Sequence, residues 1–345
     1  MKSVVSFLQD CRLGKKQVCR NLTVFPVLFP GVIEPYYLTL ELAIDSGLLV
    51  VTEVDASGNV NRLKLRNNAK QPILLVEGEE LKGAKQNRIV NASFLIAGKT
   101  ATTIPVSCVE EQRWHYDTQK FSSGKKVMHA SLRREVQYCL RDNLSRGTGH
   151  RTDQSAIWTN IAEKSKRMNV QSPTMAMSYV FEQFEDKLSD YSDSFHLIEQ
   201  QVGALFAIDG MMTGLECFAC SDTFGRFFDK LINSYAMDAI ESVDKAKDFP
   251  SVQPGKAKAF VESIKKAKGQ RHPVVSVGAT ISFESRIAAG TALADGETVL
   301  HLSAFRKADG NSRSHVGFQR FSARREMTHA KTRRTQRRAN QEKKR

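Results

Sequence analysis

The residues best suited to chemistry lie in the segment GEELKGAKQNR, residues 78–88, which stands between two apolar runs. Glycines at both ends of GEELKG permit unusual backbone angles and the close approach of a ligand to the chain. The cations of the segment suit a phosphate, and its two amides can bind a sugar hydroxyl, a base or another amide. We therefore expect a phosphorylated small molecule to bind here, through Lys82, Gly83, Lys85, Gln86, Asn87 and Arg88.

Three carboxylates in or near this segment suit proton transfer. Glu79 and Glu80 lie within it, and Glu110 follows a later apolar run. A carboxylate acts as a general acid or base near neutral pH when burial or a like-charged neighbour raises its pKa. Paired carboxylates beside cations could hydrolyse a ribosyl linkage, so these three are our candidate catalytic residues. The alternative is a solvated hairpin loop whose Glu and Lys side chains form weak ion pairs.

A second polar segment, SCVEEQRW at residues 107–114, is expected to form the other wall of the same site. We assign ligand binding there to Ser107, Cys108, Arg113 and Trp114. Cys108 has two interpretations, a nucleophile or a small buried core residue, and the second role is the commoner one for cysteine.

A CxxC spacing in CFAC, residues 217–220, raises the question of a metal or redox site. A second CxxC or a histidine pair is missing, and the motif lies at the end of an apolar strand. We therefore expect these cysteines to pack in the core, and we expect no metal and no cofactor.

With 345 residues, of which 41% are hydrophobic, the chain can build a large core. It has no apolar run near the ~20 residues that a membrane-spanning helix needs. Its six cysteines are spread too thinly to suggest a disulfide framework. We expect a cytoplasmic protein that has no membrane partner, and the sequence gives no indication of its oligomeric state.

Most of the net charge of +14 lies at the C-terminus, where residues 320–345 contain eleven Lys or Arg against two Glu, a net charge of +9. Residues 307–345 have too few apolar side chains to offset the entropy cost of ordering, so we expect a disordered basic tail. Such a tail favours non-specific, salt-sensitive contacts with nucleic acid. The alternative is a tail that only increases solubility.

The pattern of elements predicts an α+β fold that begins with an antiparallel, β-rich module. The turn DASGN between LLVVTEV and VNRLKLR indicates a hairpin, and further short strands follow up to Trp114. Pro26 within TVFPVLF indicates an edge strand or a bulge, because proline lacks the amide that a central strand uses. The polar residues 115–126 predict a surface loop.

After this loop the apolar spacing becomes helical, with one hairpin at residues 202–219, a long helix after Ser221 and closing strands in VVSVGATISFE and TVLHLSAF. We divide the chain into an N-terminal extension (1–22), a domain (23–306) and the basic tail (307–345). Within the domain, a β-rich part (23–114) and a helical and β part (128–306) are expected to form one packed unit.

The segments GEELKGAKQNR and PVSCVEEQRW resemble the ARG and rhodanese-phosphatase-superfamily-associated protein domain family, a mainly prokaryotic group. The resemblance continues through SPTMAMSYVFE, GALFAIDGMMTGLECF and HLSAF, and so covers about residues 20–305. The association of this family with ADP-ribosylglycohydrolases and phosphatases implies a role in the metabolism of ADP-ribose, NAD or a related nucleotide, in prokaryotic immunity such as antiviral defence.

Two functions are compatible with these features. In the first, the β module binds a phosphorylated nucleotide or ribose derivative, with phosphate held by Lys82, Lys85, Arg88 and Arg113, and as an enzyme the protein would be a hydrolase. In the second, the protein is not catalytic and binds nucleic acid or another protein through its tail and polar loop. The sequence leaves open whether the protein is an enzyme.

Overall fold

The computed structural model describes residues 1–243, 249–250 and 252–307, which form three β-sheets with helices packed on and between them. The predicted disordered tail, apart from residue 307, lies outside the described residues. The mixed α+β class and the antiparallel, β-rich N-terminal part are confirmed.

The described residues form the following elements. The helices are α1 (Lys2–Asp10), α2 (Leu40–Asp45), α3 (Ala130–Ser145), α4 (Gln154–Arg167), α5 (Met177–Gln183), α6 (Glu185–Ser192), α7 (Ser221–Ser242) and α8 (Pro254–Lys265). The strands are β1 (Arg12–Leu13), β2 (Gln17–Cys19), β3 (Leu22–Leu28), β4 (Leu38–Thr39), β5 (Leu49–Glu53), β6 (Arg62–Asn67), β7 (Ile73–Leu75), β8 (Glu79–Gly83), β9 (Arg88–Val90), β10 (Phe94–Ile96), β11 (Ala101–Cys108), β12 (Phe121–Val127), β13 (Gln201–Ile208), β14 (Met211–Phe218), β15 (Lys268–Pro273), β16 (Ala279–Glu284), β17 (Ala288–Asp295) and β18 (Thr298–Arg306).

The N-terminal module is a six-stranded sheet with the order β12-β8-β9-β11-β6-β5, beside a small sheet with the order β10-β7-β4. The predicted β5–β6 hairpin is confirmed by its antiparallel register. Residues 115–126 are not all loop, because β12 pairs with β8 at the edge of the sheet. Only Phe121 and Val127 at its two ends are apolar and buried, so the strand has no alternating apolar pattern that would predict it.

The nine-stranded sheet joins the two ends of the described chain. Its order is β1-β3-β13-β14-β18-β17-β16-β15, with β2 also paired to β3, and the β13–β14 hairpin predicted from sequence is confirmed. Residues 1–22, predicted as an N-terminal extension, contribute α1, β1 and β2, and the two strands pair with β3. Helix α1 packs against α8 and β18, while Val4 and Leu8 enter the core on this face of the sheet.

Pro26, predicted to mark an edge strand or a bulge, lies in an inner strand, beside an irregularity in the pairing with β13. β3 pairs with β13 on one side and with the short strands β1 and β2 on the other. Neither short strand pairs with Phe25 or Pro26, so the missing amide of Pro26 interrupts no ladder on that side. On the β13 side the register shifts between Gln201 and Gly203, next to the proline.

A buried ion-pair network connects the sheets. Arg133 of α3 donates to Glu77, which follows β7, at 3.1 Å, and to Glu216 of β14 at 3.0 Å. Gln137 also donates to Glu77 at 2.9 Å, and Tyr235 of α7 donates to Glu216 at 2.9 Å. Burial alone would raise the pKa of Glu216, but Arg133 and His301 hold it below its ordinary value. All of these side chains are buried, so their hydrogen bonds are strong and the loss of any one partner is costly.

Replacing Arg133 tests this network. Arg133→Ala leaves the Glu77 and Glu216 carboxylates buried without their cation, and removing one partner of a buried pair costs about 3–5 kcal/mol. We expect the free energy of unfolding, measured by urea titration at pH 7, to fall by that amount. The matched control is Arg134→Ala on the same helix, whose partly exposed pair with Glu135 should contribute at most about 1 kcal/mol. Equal losses in the two variants would contradict the role given to Arg133.

Candidate functional site

The structure separates the predicted site residues into groups with different surroundings. One group, Asn87, Glu110 and Arg113, forms internal bonds that shape the loop after β8. The Arg113 guanidinium donates to Glu110 Oε2 at 2.6 Å, to Asn87 Oδ1 at 3.1 Å and to the Ala84 carbonyl at 2.7 Å. Both of its terminal nitrogens are therefore occupied, which leaves this arginine little capacity to hold a phosphate.

Glu110 is likewise committed to local structure. Its Oε2 also accepts the Asn87 amide at 3.0 Å, and its Oε1 accepts the Thr174 hydroxyl at 2.8 Å. Burial alone would raise the pKa of Glu110, but the bonds from Arg113, Asn87 and Thr174 hold it below its ordinary value. An ionised carboxylate with both oxygens occupied fixes the loop and is poorly placed to take up a proton.

A second group, which we call the Arg88 cluster, consists of Glu53, Lys85, Gln86, Arg88 and Trp114. Arg88 is completely buried and donates to Gln86 Oε1 at 3.0 Å, while its Nη2 lies 3.6 Å from Glu53 Oε1. Within the described residues, Arg88 Nε and Nη2 and both Glu53 oxygens have no hydrogen-bond partner. Burial lowers the pKa of Arg88, against the effect of Cys108 and Glu53. Buried donors and acceptors without hydrogen bonds are costly, so these atoms are suited to binding a water, an ion or a ligand.

Aromatic side chains cover the Arg88 cluster at the surface. The Trp114 ring lies 5.8 Å from the Arg88 guanidinium carbon and 5.3 Å from Lys85 Nζ, which is also 5.1 Å from the Tyr116 ring. Trp114 is 46% exposed and Tyr116 is 39% exposed. Gly58 in the β5–β6 turn has φ +78° and packs against this surface, where an added Cβ would lie 3.1 Å from Lys85 Cδ. The arrangement is an exposed aromatic pair beside one accessible and one buried cation.

Ser107 and Cys108 occupy opposite faces of β11. The Ser107 hydroxyl donates to Asn91 Oδ1 at 2.7 Å, away from Arg88. Cys108 pairs in register with Arg88, and its thiol donates to the Glu110 carbonyl at 3.2 Å. Burial raises the pKa of this thiol, which opposes the thiolate that a nucleophile requires. Cys108 thus has the surroundings of a packed core cysteine.

The carboxylates of Glu79 and Glu80 are both buried, but only the first has a bond. Glu79 Oε2 accepts the Val76 amide at 2.7 Å, and its Oε1 lies 4.0 Å from Lys230 Nζ. Neither oxygen of Glu80 has a hydrogen-bond partner among the described residues. Burial raises the pKa of each carboxyl to about 7. Lys82 lies at the surface, paired with Glu182 at 3.1 Å.

Sequence reasoning missed Glu53, although a signal for it exists. In LVVTE the burial pattern alternates, with Leu49, Val51 and Glu53 facing inward. A carboxylate at the third inward position of an alternating strand is a buried charge, and such a charge needs either a partner or a function.

A family model describes residues 10–305 of the chain as the ARG and Rhodanese-Phosphatase-superfamily-associated Protein domain, ARPP-1. The match spans most of the sequence. The chain belongs to this family. No curated protein and no solved structure matches it. The ARPP-1 domain therefore takes in the Arg88 cluster and Glu80, together with nearly all of the three sheets.

In the described part of this ARPP-1 domain, no group of three or more His, Cys, Asp or Glu side chains is placed to hold a metal ion. None of the helices in the same residues is both long enough and apolar enough to cross a membrane.

The raised pKa of Glu80 predicts a pH-dependent stability. Its folded pKa of about 7 exceeds the ordinary 4.5, so its contribution to stability is complete below pH 4.5 and is lost as the pH rises through 7. Glu80→Gln mimics the protonated form. We expect similar unfolding free energies for wild type and variant at pH 4, and a variant more stable by about 3 kcal/mol at pH 8. Urea titrations at both pH values measure this difference.

The control for Glu80→Gln is the exposed Glu111→Gln, whose difference from wild type should not vary with pH. If Glu80→Gln also shows a pH-independent difference, the carboxyl is ionised and paired in solution, and the surroundings described for it are incorrect.

Proposed function

We propose that the protein binds a phosphorylated nucleotide or ribose derivative at the Arg88 cluster. The observation that carries this proposal is the set of unpaired, buried donors and acceptors on Arg88 and Glu53 beneath an exposed tryptophan. Hydrogen bonds that are not made cost the empty protein stability. A ligand that makes them recovers this free energy as binding affinity.

Arg88 is the anion-binding element in this proposal. Its Nε and Nη2, neither of which has a hydrogen bond within the described residues, lie on one edge of a planar guanidinium, a geometry that matches two oxygens of one phosphate. Lys85 adds a second positive charge at the surface, where its ammonium now donates to the Ser57 carbonyl at 2.8 Å. The two cations together would bind a phosphate with one buried and one exposed contact.

The other members of the cluster suit the organic part of a nucleotide. The Trp114 and Tyr116 rings offer an exposed surface on which a base can stack, a contact worth about 1–3 kcal/mol. The two free Glu53 oxygens can accept hydrogen bonds from neighbouring ribose hydroxyls. The Glu53 carboxylate lies 3.6 Å from Arg88 Nη2 and would repel a phosphate but favour a hydroxyl, so a phosphate on Arg88 would place the adjoining ribose hydroxyls at Glu53. ADP-ribose and NAD contain all three parts and are the ligands that we propose first.

Ligand binding can be measured by thermal unfolding and by tryptophan fluorescence. We expect ADP-ribose, NAD, AMP or ribose 5-phosphate to raise the melting temperature with the logarithm of ligand concentration, because each binds only the native state. The chain has two tryptophans, Trp114 and Trp158, so stacking on Trp114 should also quench a large part of its emission. Trp114→Ala should weaken binding of the nucleotides about tenfold or more, and Lys85→Ala should weaken every phosphorylated ligand.

Matched controls are available for both substitutions. Tyr36→Ala removes an aromatic ring of similar exposure at a distant loop, and Lys64→Ala removes an exposed lysine from β6. Neither should change ligand affinity. The proposal fails if none of the four ligands shifts the melting temperature, or if Trp114→Ala and Lys85→Ala respond to ligand as wild type does.

A further inference from the structure

The pairing between the edge strand β12 and its partner β8 is interrupted at Glu80. The two strands pair at Ser123 and again at Val127, and the register shifts between these positions. Gly124 lies over the carboxyl within this bulge, where an added Cβ would be 2.7 Å from Glu80 Oε2. Gly124 therefore packs directly against the Glu80 side chain, which occupies the space that a larger residue at 124 would need. Bulges of this kind are common beside functional sites.

Two lysines meet one carboxylate next to this bulge. Glu182 Oε1 of α5 lies 3.1 Å from Lys82 Nζ and 3.7 Å from Lys126 Nζ. The Glu182 side chain is 43% exposed, so these ion pairs add little to stability and exchange readily with solvent. Because two ammonium groups bind a carboxylate oxygen here, a phosphate or sulfate oxygen can bind at the same position.

Glu80 distinguishes this place from an ordinary pair of surface lysines. Its carboxyl is 99% buried (1% exposed) and has no hydrogen-bond partner among the described residues. Besides burial, the charges acting on its pKa are Lys82, Lys126, Glu182 and Glu110, and both lysines lower it. An anion on the lysines would therefore lie near a carboxyl that can be protonated near pH 7 and can donate a hydrogen bond.

The surroundings also offer space for a larger ligand. Lys126 lines a cleft of ≈ 290 Å³ between β12, α6 and α7, whose walls include Phe181, Leu188 and Lys230. This volume lies just below the range of small-ligand pockets, about 300–1,000 Å³, and suits a small metabolite. The site is distinct from the Arg88 cluster, because Leu81 pairs with Arg88 and Glu80 therefore points to the opposite face of the β8–β9 hairpin.

We propose that the β12 bulge binds a small oxyanion, either free or as the phosphoryl group of a metabolite. The anion replaces the Glu182 carboxylate on Lys82 and Lys126 and accepts a hydrogen bond from the protonated Glu80 carboxyl. Binding of the anion is thus coupled to binding of a proton at Glu80, and Glu182 is an internal competitor.

Isothermal titration with sulfate at constant ionic strength tests this site, since the charge of sulfate is constant between pH 6 and pH 8. We expect wild type to bind sulfate about tenfold more tightly at pH 6 than at pH 8, because only the protonated carboxyl can donate. Glu182→Gln should bind more tightly than wild type at both pH values. Glu80→Gln should bind sulfate with the pH dependence lost, because its amide donates at every pH.

Lys82→Ala and Lys126→Ala should each abolish sulfate binding, and both replace side chains at the surface, so folding is not at risk. The charge-matched control is the exposed Lys120→Ala, which should bind as wild type does. Ribose 5-phosphate, titrated beside inorganic phosphate at pH 6 into Lys85→Ala and into Lys85→Ala with Lys126→Ala, identifies the form of the ligand, because the first variant weakens binding at the Arg88 cluster and the second also removes this site. Tighter binding of the sugar phosphate indicates a metabolite that uses the cleft, and equal binding indicates a free anion.

Three results would overturn the proposal. The first is the absence of saturable sulfate binding in both wild type and Glu182→Gln. The second is an equal loss of affinity in Lys120→Ala, which would show non-specific attraction by net charge. The third is an unchanged pH dependence in Glu80→Gln, which would remove the carboxyl from the site. Trp114 and Lys85 take no part in this site. Failure of the oxyanion proposal would therefore not count against ligand binding at the Arg88 cluster, which is tested by substitutions of those two residues.

Discussion

Arg133 lies between two buried carboxylates, one in the turn that follows a strand of the small sheet and one in the nine-stranded sheet, and this interaction ties the sheets together. Glu77 follows a strand of the small sheet, Glu216 lies in the nine-stranded sheet, and helix α3 carries the arginine between them. Charges taken from water are tolerated only when each is closely paired and hydrogen-bonded. Any shift of one sheet against the other would break these bonds, so the network admits a single arrangement of the three elements.

The same constraint explains Gly78. Its φ of +81° and the Arg133 side chain, 3.1 Å from the position of an added Cβ, both exclude larger residues. Gly78, the first residue of GEELKGAKQNR, is thus required by the backbone angle and by the Arg133 side chain. In the sequence alone, this glycine suggested the close approach of a ligand. The residues in and next to this segment serve two purposes. Some attach the β module to the rest of the domain, and others form the surroundings of Arg88 and Glu80.

Local patterns predict the elements whose partners are close in sequence, such as the β5–β6 and β13–β14 hairpins and the long helix α7. They do not predict β12 or the inner position of β3, because the pairing of β3 with β13 is decided by residues far along the chain. For the site, residue type identifies Arg88 and Arg113 equally as phosphate ligands. Only the folded contacts show that Arg113 is already occupied by Glu110 and Asn87, while Arg88 keeps free donors.

The strand order of the nine-stranded sheet also bears on how the chain folds during synthesis. Apart from a single bridge between Leu95 of β10 and Val277, strands β4 to β12 pair only among themselves, so most of the β module's strand pairing can form once its own residues have left the ribosome. Strand β3 is made earlier but pairs with β13, which emerges much later. Until then β3 has only the short strands β1 and β2 as partners, and its edge toward β13 stays open while the module folds. An apolar strand with an open edge is prone to aggregate, so β3 is a segment of the nascent chain that a chaperone would bind.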